Sequence, residues 1–277
     1  MILYRTKRGP LVEHEGLCYP TSETNWDELI NRDDLTRVLE QALRSTPPLP
    51  GDYRLETELL PPIGTQEVWA AGVTYYRSRT ARMEESQVAG GSNFYDRVYH
   101  ADRPELFLKA TPHRVRGHRD ALHLRRDSKW MVPEPELTFV ITRTGKIVGY
   151  TAGNDLSCRD IEGENPLYLP QAKTFTACAG IGPGVYVTDQ PLPGETEIAL
   201  EIKRGSQVMF AGTTNVSQMK KTPEALVEYL FRDNSFPQGA LLMTGTGIVP
   251  PDDFCLQAGD QVSITIGPIG TLVNPME

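Results

Sequence analysis

Positive charge is in short supply in this chain: 28 lysines and arginines stand against 36 aspartates and glutamates, for a net charge of −8. That balance excludes an ordinary nucleic-acid surface, because phosphate binding rests on clustered Lys and Arg. Long apolar runs are missing too. None approaches the ~20 residues of a membrane-spanning helix. The start, Met1 to Pro10, carries cations without the hydrophobic core of a signal peptide. Cysteine is scarce, and Cys18, Cys158, Cys178 and Cys255 form no C-x-x-C pair, which excludes a zinc ribbon and a thioredoxin-type redox motif. Unpatterned cysteines in a chain this long fit a reducing compartment. The expectation is a cytoplasmic protein with a small-molecule partner. His14, His100, His113, His118 and His123 show no metal-site pairing, and the last three lie on an arginine-rich stretch that reads as a solvent-facing turn. There is no internal repeat and no low-complexity segment.

What is present is a length of 277 residues, enough for a substantial core. Leu35, Val38, Leu39, Ala42 and Leu43 recur with helical spacing behind Asp33 and Asp34, after a start that reads as short strands over residues 1–20. Thr46-Pro-Pro-Leu-Pro-Gly51 ends that helix, and Pro61-Pro62-Ile63-Gly64 punctuates the chain again. The spacing predicts a small N-terminal domain over 1–62 and a main domain over 63–277. Short strands are predicted at 105–109, 137–142, 146–151, 198–203, 208–212 and 261–266. Hairpin turns are predicted at 143–146 and 204–206, and a helix with proline in its first turn at 223–231. The pattern is that of a mixed, β-rich α+β fold and not of an alternating βαβ sheet.

Chemistry concentrates in Pro133-Glu134-Pro135-Glu136. In an extended chain alternate side chains share a face, so the carboxylates of Glu134 and Glu136 can converge on one cation. Proline fixes its own φ and keeps the preceding residue out of the α region, which biases the stretch towards strand, with Pro135 at a strand start. Asp155 follows after a turn and Lys173 further on. Carboxylates without nearby His or Cys form a hard oxygen set that suits magnesium or manganese better than zinc. Spacing alone leaves open a plainer alternative, the solvated face of a half-exposed strand with Lys173 on the surface. Gly180-Ile-Gly-Pro-Gly184 does not complete a dinucleotide-binding pattern and reads as a turn. Thr244-Gly245-Thr246-Gly247 is either a plain strand-end turn or one that offers N–H groups and hydroxyls to an anion.

Together, Glu134-Pro-Glu136-Leu137, the run from Gly149 to Asp160, Lys173, Gly180-x-Gly182-Pro183, Thr244-Gly245-Thr246 and Ile269-Gly270-Thr271-Leu272 resemble the fumarylacetoacetate hydrolase superfamily over residues 67–275. The resemblance implies a β-roll-like domain behind a small N-terminal domain, usually in a homodimer or larger homo-oligomer. It implies that Glu134, Glu136 and Asp155 hold magnesium, with manganese as a substitute, and that Arg159 and Lys173 serve the site. Glu67-Val68-Trp69 with Gly72, Tyr75 and Arg79, the run Arg103 to Pro112, and Glu164 to Gln171 are similar to the branch that dehydrates 2-keto-3-deoxy sugar acids. The hydrolases of the superfamily carry a water-activating histidine and glutamate where this chain has Ser78 and Ala81, so a general base for hydrolysis is lacking.

That branch implies removal of water from an acid such as 2-keto-3-deoxy-D-arabinonate to give 2,5-dioxopentanoate, in pentose catabolism. Lys173 would balance developing enolate charge, the preferred role, or act as a base if its site made it neutral. Glu105 would act as acid or base, unless it is a strand residue paired with Arg103 or Lys109. Arg79, Arg159, Gln171 and Thr246 would donate to the substrate's carboxylate and hydroxyls. Residues 88–99 are either a closing lid or a plain surface loop. Two other readings stay open: a hydrolase or decarboxylase of an acylpyruvate or oxaloacetate-like 2-oxo acid, and a sugar-acid sensor without turnover.

Overall fold

The computed structural model describes residues 1–51, 53–77 and 92–277, with side chains for all of these except 92–95. Ser78, Arg79, Ala81 and the first part of the expected lid, 88–91, lie outside the described residues.

Ten strands form the larger sheet. Across it run β3 (Leu17–Pro20), β2 (Gly9–His14), β1 (Ile2–Thr6), β11 (Ala179–Val187), β9 (Ile147–Asp155), β8 (Pro135–Ile141), β14 (Ala240–Met243), β4 (Glu67–Gly72) and β5 (Glu105–Ala110), while β6 (Val115–Arg116) runs parallel to β11. A smaller sheet joins β13 (Gln207–Asn215), β12 (Glu197–Arg204), β15 (Asp260–Ile266) and β16 (Gly270–Pro275). A short ladder pairs β7 (Met131–Val132) with β10 (Ser157–Cys158). The described helices are α1 (Trp26–Ile30), α2 (Leu35–Ser45), α3 (Ser92–His100), α4 (Arg159–Glu164), α5 (Leu169–Lys173) and α6 (Pro223–Phe231). None of the described helices is long and apolar enough to cross a membrane.

The two sheets share a core. Leu137, Phe139 and Ile141 of β8 pack in one cluster with Ile198, Leu200 and Ile202 of β12 and Val262 and Ile264 of β15. Val140, on the opposite face of β8, joins Leu3, Leu35, Leu39 and Val185 in a second cluster. Strand β8 is therefore buried along its whole length, and its run of apolar residues reflects cover on both faces. The side-chain hydroxyl of Thr222 caps α6 by accepting the Ala225 N–H, and Pro223 fits the first turn, where an N–H has no helical partner anyway.

Most of the expected elements are present, with three differences. Residues 1–20 extend the larger sheet, since Ile2 and Leu3 of β1 pair with Tyr186 and Val185 of β11. Strand β9 continues past the expected 151 to Asp155, because β8 on one side supplies ladder partners as far as Asn154 and β11 on the other as far as Asp155. The glycine run at 180–184 is strand and not turn. It belongs to β11, with an irregular register between Gly182 and Tyr186 and a cis Gly182–Pro183 bond. Its glycines allow close approach: a Cβ on Gly180 would fall 2.3 Å from Asn274 Oδ1, and one on Gly184 would fall 2.7 Å from the Tyr4 ring.

Candidate active site

The hairpin of β8 and β9 assembles the acids. Pro135 pairs with Asn154 and Glu136 with Gly153, while the Asp155 N–H donates to Glu134 O at 3.0 Å. Glu134 and Glu136 thus stand beside the end of β9, where Asp155 projects. One carboxylate oxygen from each of the three lies within 4.8 Å of the others, and all three residues are buried. Burial eliminates the solvated-face alternative. No other three His, Cys, Asp or Glu side chains converge in this way among the described residues.

Buried carboxylates this close need compensation. Lys173, at the end of α5, donates to Glu134 Oε2 at 2.7 Å and to Ser157 Oγ at 2.6 Å, and lies 3.3 Å from Asp155 Oδ2. Arg159, at the start of α4, places a terminal guanidinium nitrogen 2.7 Å from Glu134 Oε1, with Glu162 at 4.0 Å. Lys109 of β5 puts its ammonium 2.6 Å from Asp155 Oδ1. Glu136 accepts the Gly245 N–H at 2.6 Å. The anion that the Thr244–Gly247 loop greets is therefore this carboxylate. Burial first, and then the charges of Asp155 and Glu134, push the Glu136 carboxyl well above its ordinary 4.5. Burial also raises the nearby Tyr75 hydroxyl.

A divalent ion fits these residues. Crowding of three buried acids, strong enough to drive Glu136 towards its neutral form, is what a dication between them relieves. The donors are all oxygen, as magnesium prefers. The cavity at their centre has a volume of about 10 Å³, on the scale of one ion or water, and its wall includes Gly72, Phe107, Lys173, Gly245 and Thr246.

The other expected site residues separate into two groups. Glu105 pairs with Gly72 across the β4–β5 ladder, and its carboxylate covers that glycine so closely that a Cβ there would sit 1.9 Å from Oε2. The Oε2 atom is buried over Gly72, which lines the cavity, and has no hydrogen-bond partner among the described residues, while Lys109 is engaged elsewhere. Thr246 lines the cavity, while its hydroxyl bonds to the Ile248 backbone at 3.2 Å in both directions. Arg159 stands behind Glu134 and does not line the cavity. Gln171 is exposed on α5, and only its backbone carbonyl is engaged, by Arg125 at 2.6 Å. Arg79 lies outside the described residues. Lys109 and Ser157 were not among the expected site residues, whereas the Gly245 N–H belongs to the loop that the sequence offered as an anion contact. Lys109 leaves a trace in the sequence, a cation within the otherwise apolar run Leu106 to Ala110.

Residues 69–277 match the family model described as "Fumarylacetoacetate (FAA) hydrolase C-terminal". A probable 2-keto-3-deoxyxylonate dehydratase from Haloferax volcanii is 51% identical over 215 residues, covering 77% of this chain and 73% of that protein. A 2-dehydro-3-deoxy-D-arabinonate dehydratase from Saccharolobus solfataricus is 46% identical over 219 residues, covering 78% and 73%. Among solved structures, a 2-keto-3-deoxy-D-arabinonate dehydratase complexed with magnesium and 2,5-dioxopentanoate is similar with a TM-score of 0.85 at 35% identity, over 100% of this chain and 99% of that one. With a β-rich two-sheet fold, a buried trio of acids at the end of one hairpin and a family match over most of its length, the chain belongs to the fumarylacetoacetate hydrolase family.

Proposed function

We propose that this protein is a magnesium-dependent dehydratase that removes water from a 2-keto-3-deoxy sugar acid, such as 2-keto-3-deoxy-D-arabinonate, to give 2,5-dioxopentanoate. The observation that carries the reading is the buried trio Glu134, Glu136 and Asp155 with the Lys173 ammonium bridging two of its members. Relatives that bear dehydratase names support it, as does the similar structure that holds magnesium and this dioxo acid.

Glu134, Glu136 and Asp155 would hold the ion. When bound, magnesium supplies a Lewis acid that withdraws electrons from a 2-oxo group and acidifies the neighbouring C3 proton. Lys173 already spends protons on Glu134 and Ser157, which suits it to balancing negative charge on the keto oxygen and not to abstracting a proton. Glu105, whose buried Oε2 packs over the cavity-lining Gly72 and has no hydrogen-bond partner among the described residues, is the acid/base: it takes the C3 proton and returns it as the C4 hydroxyl leaves, so that one water departs. A hydrogen shift from C5 to C3 then gives the C5 enol, and ketonisation, which moves the enol O–H proton to C4, leaves the dicarbonyl acid. Arg159 orients Glu134, Thr246 shapes the cavity, and Arg79 and Gln171 are placed with the substrate by family resemblance. The same resemblance supports a homodimer or larger homo-oligomer, and cysteine usage supports the cytoplasm.

The test is release of a dicarbonyl product from 2-keto-3-deoxypentonates with magnesium. Glu134→Gln should lower turnover by more than about 100-fold, beyond the loss seen when a group behind a ligand is removed. Unchanged turnover would refute the metal assignment, and C–C cleavage of an acylpyruvate or oxaloacetate without dehydration would favour the hydrolase or decarboxylase reading.

A further inference from the structure

Lys109 is a fully buried cation with no part in the chemistry described above. An ammonium has three protons to donate. Here two backbone carbonyls accept from it, Leu156 O at 2.8 Å and Lys173 O at 2.5 Å, and Asp155 Oδ1 lies 2.6 Å away as its ion-pair partner. These groups belong to three separate parts of the chain. Lys109 itself sits near the end of β5, Asp155 ends β9 with Leu156 directly after it, and Lys173 ends α5. The Phe175 ring lies 5.5 Å from the same nitrogen and helps to close the pocket around it. Lys109 does not line the central cavity, so its charge reaches the site only through Asp155 and the backbone of Lys173.

A buried lysine is costly unless each proton finds an acceptor, and a hydrophobic strand offers no reason for one at this position. A leucine here would fill the space but leave the Leu156 and Lys173 carbonyls without a donor and Asp155 without its ion-pair partner. The arrangement ties the one acid that comes from β9 to the helix end that presents Lys173. We propose that Lys109 is a positioning residue for the metal centre: it fixes the rotamer of Asp155 and the separation of Asp155 from Lys173, and so sets the geometry that selects a small dication. The proposal rests on the reading of the three acids as a metal site, and magnesium titration of the unaltered protein tests that reading by itself.

Two physical effects of removing Lys109 oppose each other, so the sign of the result is informative. Losing a positive charge near the site would tighten the hold on any dication, and would do so equally for ions of equal charge. Losing the tether frees Asp155 and weakens the hold. It does so unequally, because magnesium requires near-octahedral ligands at short range while calcium accepts irregular sets at longer distances.

The experiment is calorimetric titration of metal-free protein with magnesium and with calcium, for the unaltered chain, Lys109→Met, Lys109→Gln and Leu39→Ala. Leu39 is buried in the cluster beneath α2, far from the acids in sequence, and serves as a control for lost stability alone. The expected result is a magnesium Kd raised about 10- to 100-fold in Lys109→Met, the range for removing a group that orients a ligand. Calcium should lose less, so that the preference between the ions narrows. Lys109→Gln, which keeps two donors without the charge, should fall between, and Leu39→Ala should bind both ions as the unaltered chain does. Tighter or unchanged magnesium binding in the lysine variants would overturn the proposal, as would equal loss for both ions. Failure of both lysine variants to fold where Leu39→Ala folds would also overturn it, since Lys109 would then serve the fold and not the ion. If the unaltered protein binds no magnesium, the metal reading fails, which is a different outcome from any of these.

Discussion

Two groups of acids in this molecule, alike in side-chain chemistry, behave in opposite ways. Asp33 and Asp34 stand between α1 and α2 near the surface. Hydrogen bonds from Arg32 and then Arg37 bring the Asp34 carboxyl down to about 2, and those from Thr142 and Thr144 lower that of Asp33. Glu134, Glu136 and Asp155 are enclosed, and there Glu136 is pushed well above 4.5, by burial before anything else. The difference teaches that an acid's neighbours count less than whether water reaches it. Outside, water screens the charge and partners are an addition. Inside, three cations, a backbone N–H and a hydroxyl surround the trio, and desolvation still dominates at Glu136.

The sharpest way to break this contrast is to remove an internal cation. Lys173→Met should reduce turnover by about 100- to 1,000-fold, as loss of one preorganised charge partner does. Steady-state kinetics on folded variant protein checks it, and a loss below tenfold would mean that the enclosed acids lean on their partners no more than surface acids do.

A smaller effect concerns pH. Above 4.5 the unfolded chain has released the Glu136 proton, while the metal-free folded protein retains it up to a higher pH. The folded state then binds more protons, so metal-free stability falls as pH rises through that window and levels off beyond it. On the proposed function, magnesium would bind the deprotonated trio. The stability gained from saturating magnesium should therefore grow with pH, read as the difference between urea unfolding curves with and without the ion from pH 5 to 8. A gain independent of pH would contradict the enclosed state of Glu136.

The smallest effect belongs to the outer acids. Asp33 Oδ1 accepts from Thr142 Oγ1 at 2.6 Å and Thr144 Oγ1 at 2.8 Å, tying the start of α2 to the β8–β9 turn. Its lowered pKa means that this contribution is present above the unfolded value of 3.8 and is lost as pH falls through the folded one. Asp33→Asn should cost less than about 1 kcal/mol at neutral pH, because water competes for exposed groups. Thermal denaturation measures it, and a cost of several kcal/mol would show that exposure does not separate the two groups.

Helix α2 was legible because its apolar spacing and its terminal prolines act within a dozen residues, and α6 because Pro223 marks its first turn. The glycines of β11 misled for a physical reason. A glycine that admits a neighbouring ring or amide looks, in one dimension, like a glycine that turns the chain. Gln171 shows the same limit at the site. It stands two residues before Lys173, yet on a helix that spacing points the two side chains apart, and Gln171 ends exposed while Lys173 is buried.

By itself the sequence determined that Glu134 and Glu136 share a face, that their donors are oxygen and that the surrounding motifs match one family. Alternation along a strand is a local property, and so is proline's restriction of the backbone. Whether that face looked into water or into the protein was decided only when β9, β5 and α5 closed around it, bringing Asp155, Lys109 and Lys173 to the same few ångströms. Burial is a sum over distant parts of the chain. Glu136 becomes a buried carboxyl with a raised pKa instead of an ordinary surface carboxylate because those parts exclude water together.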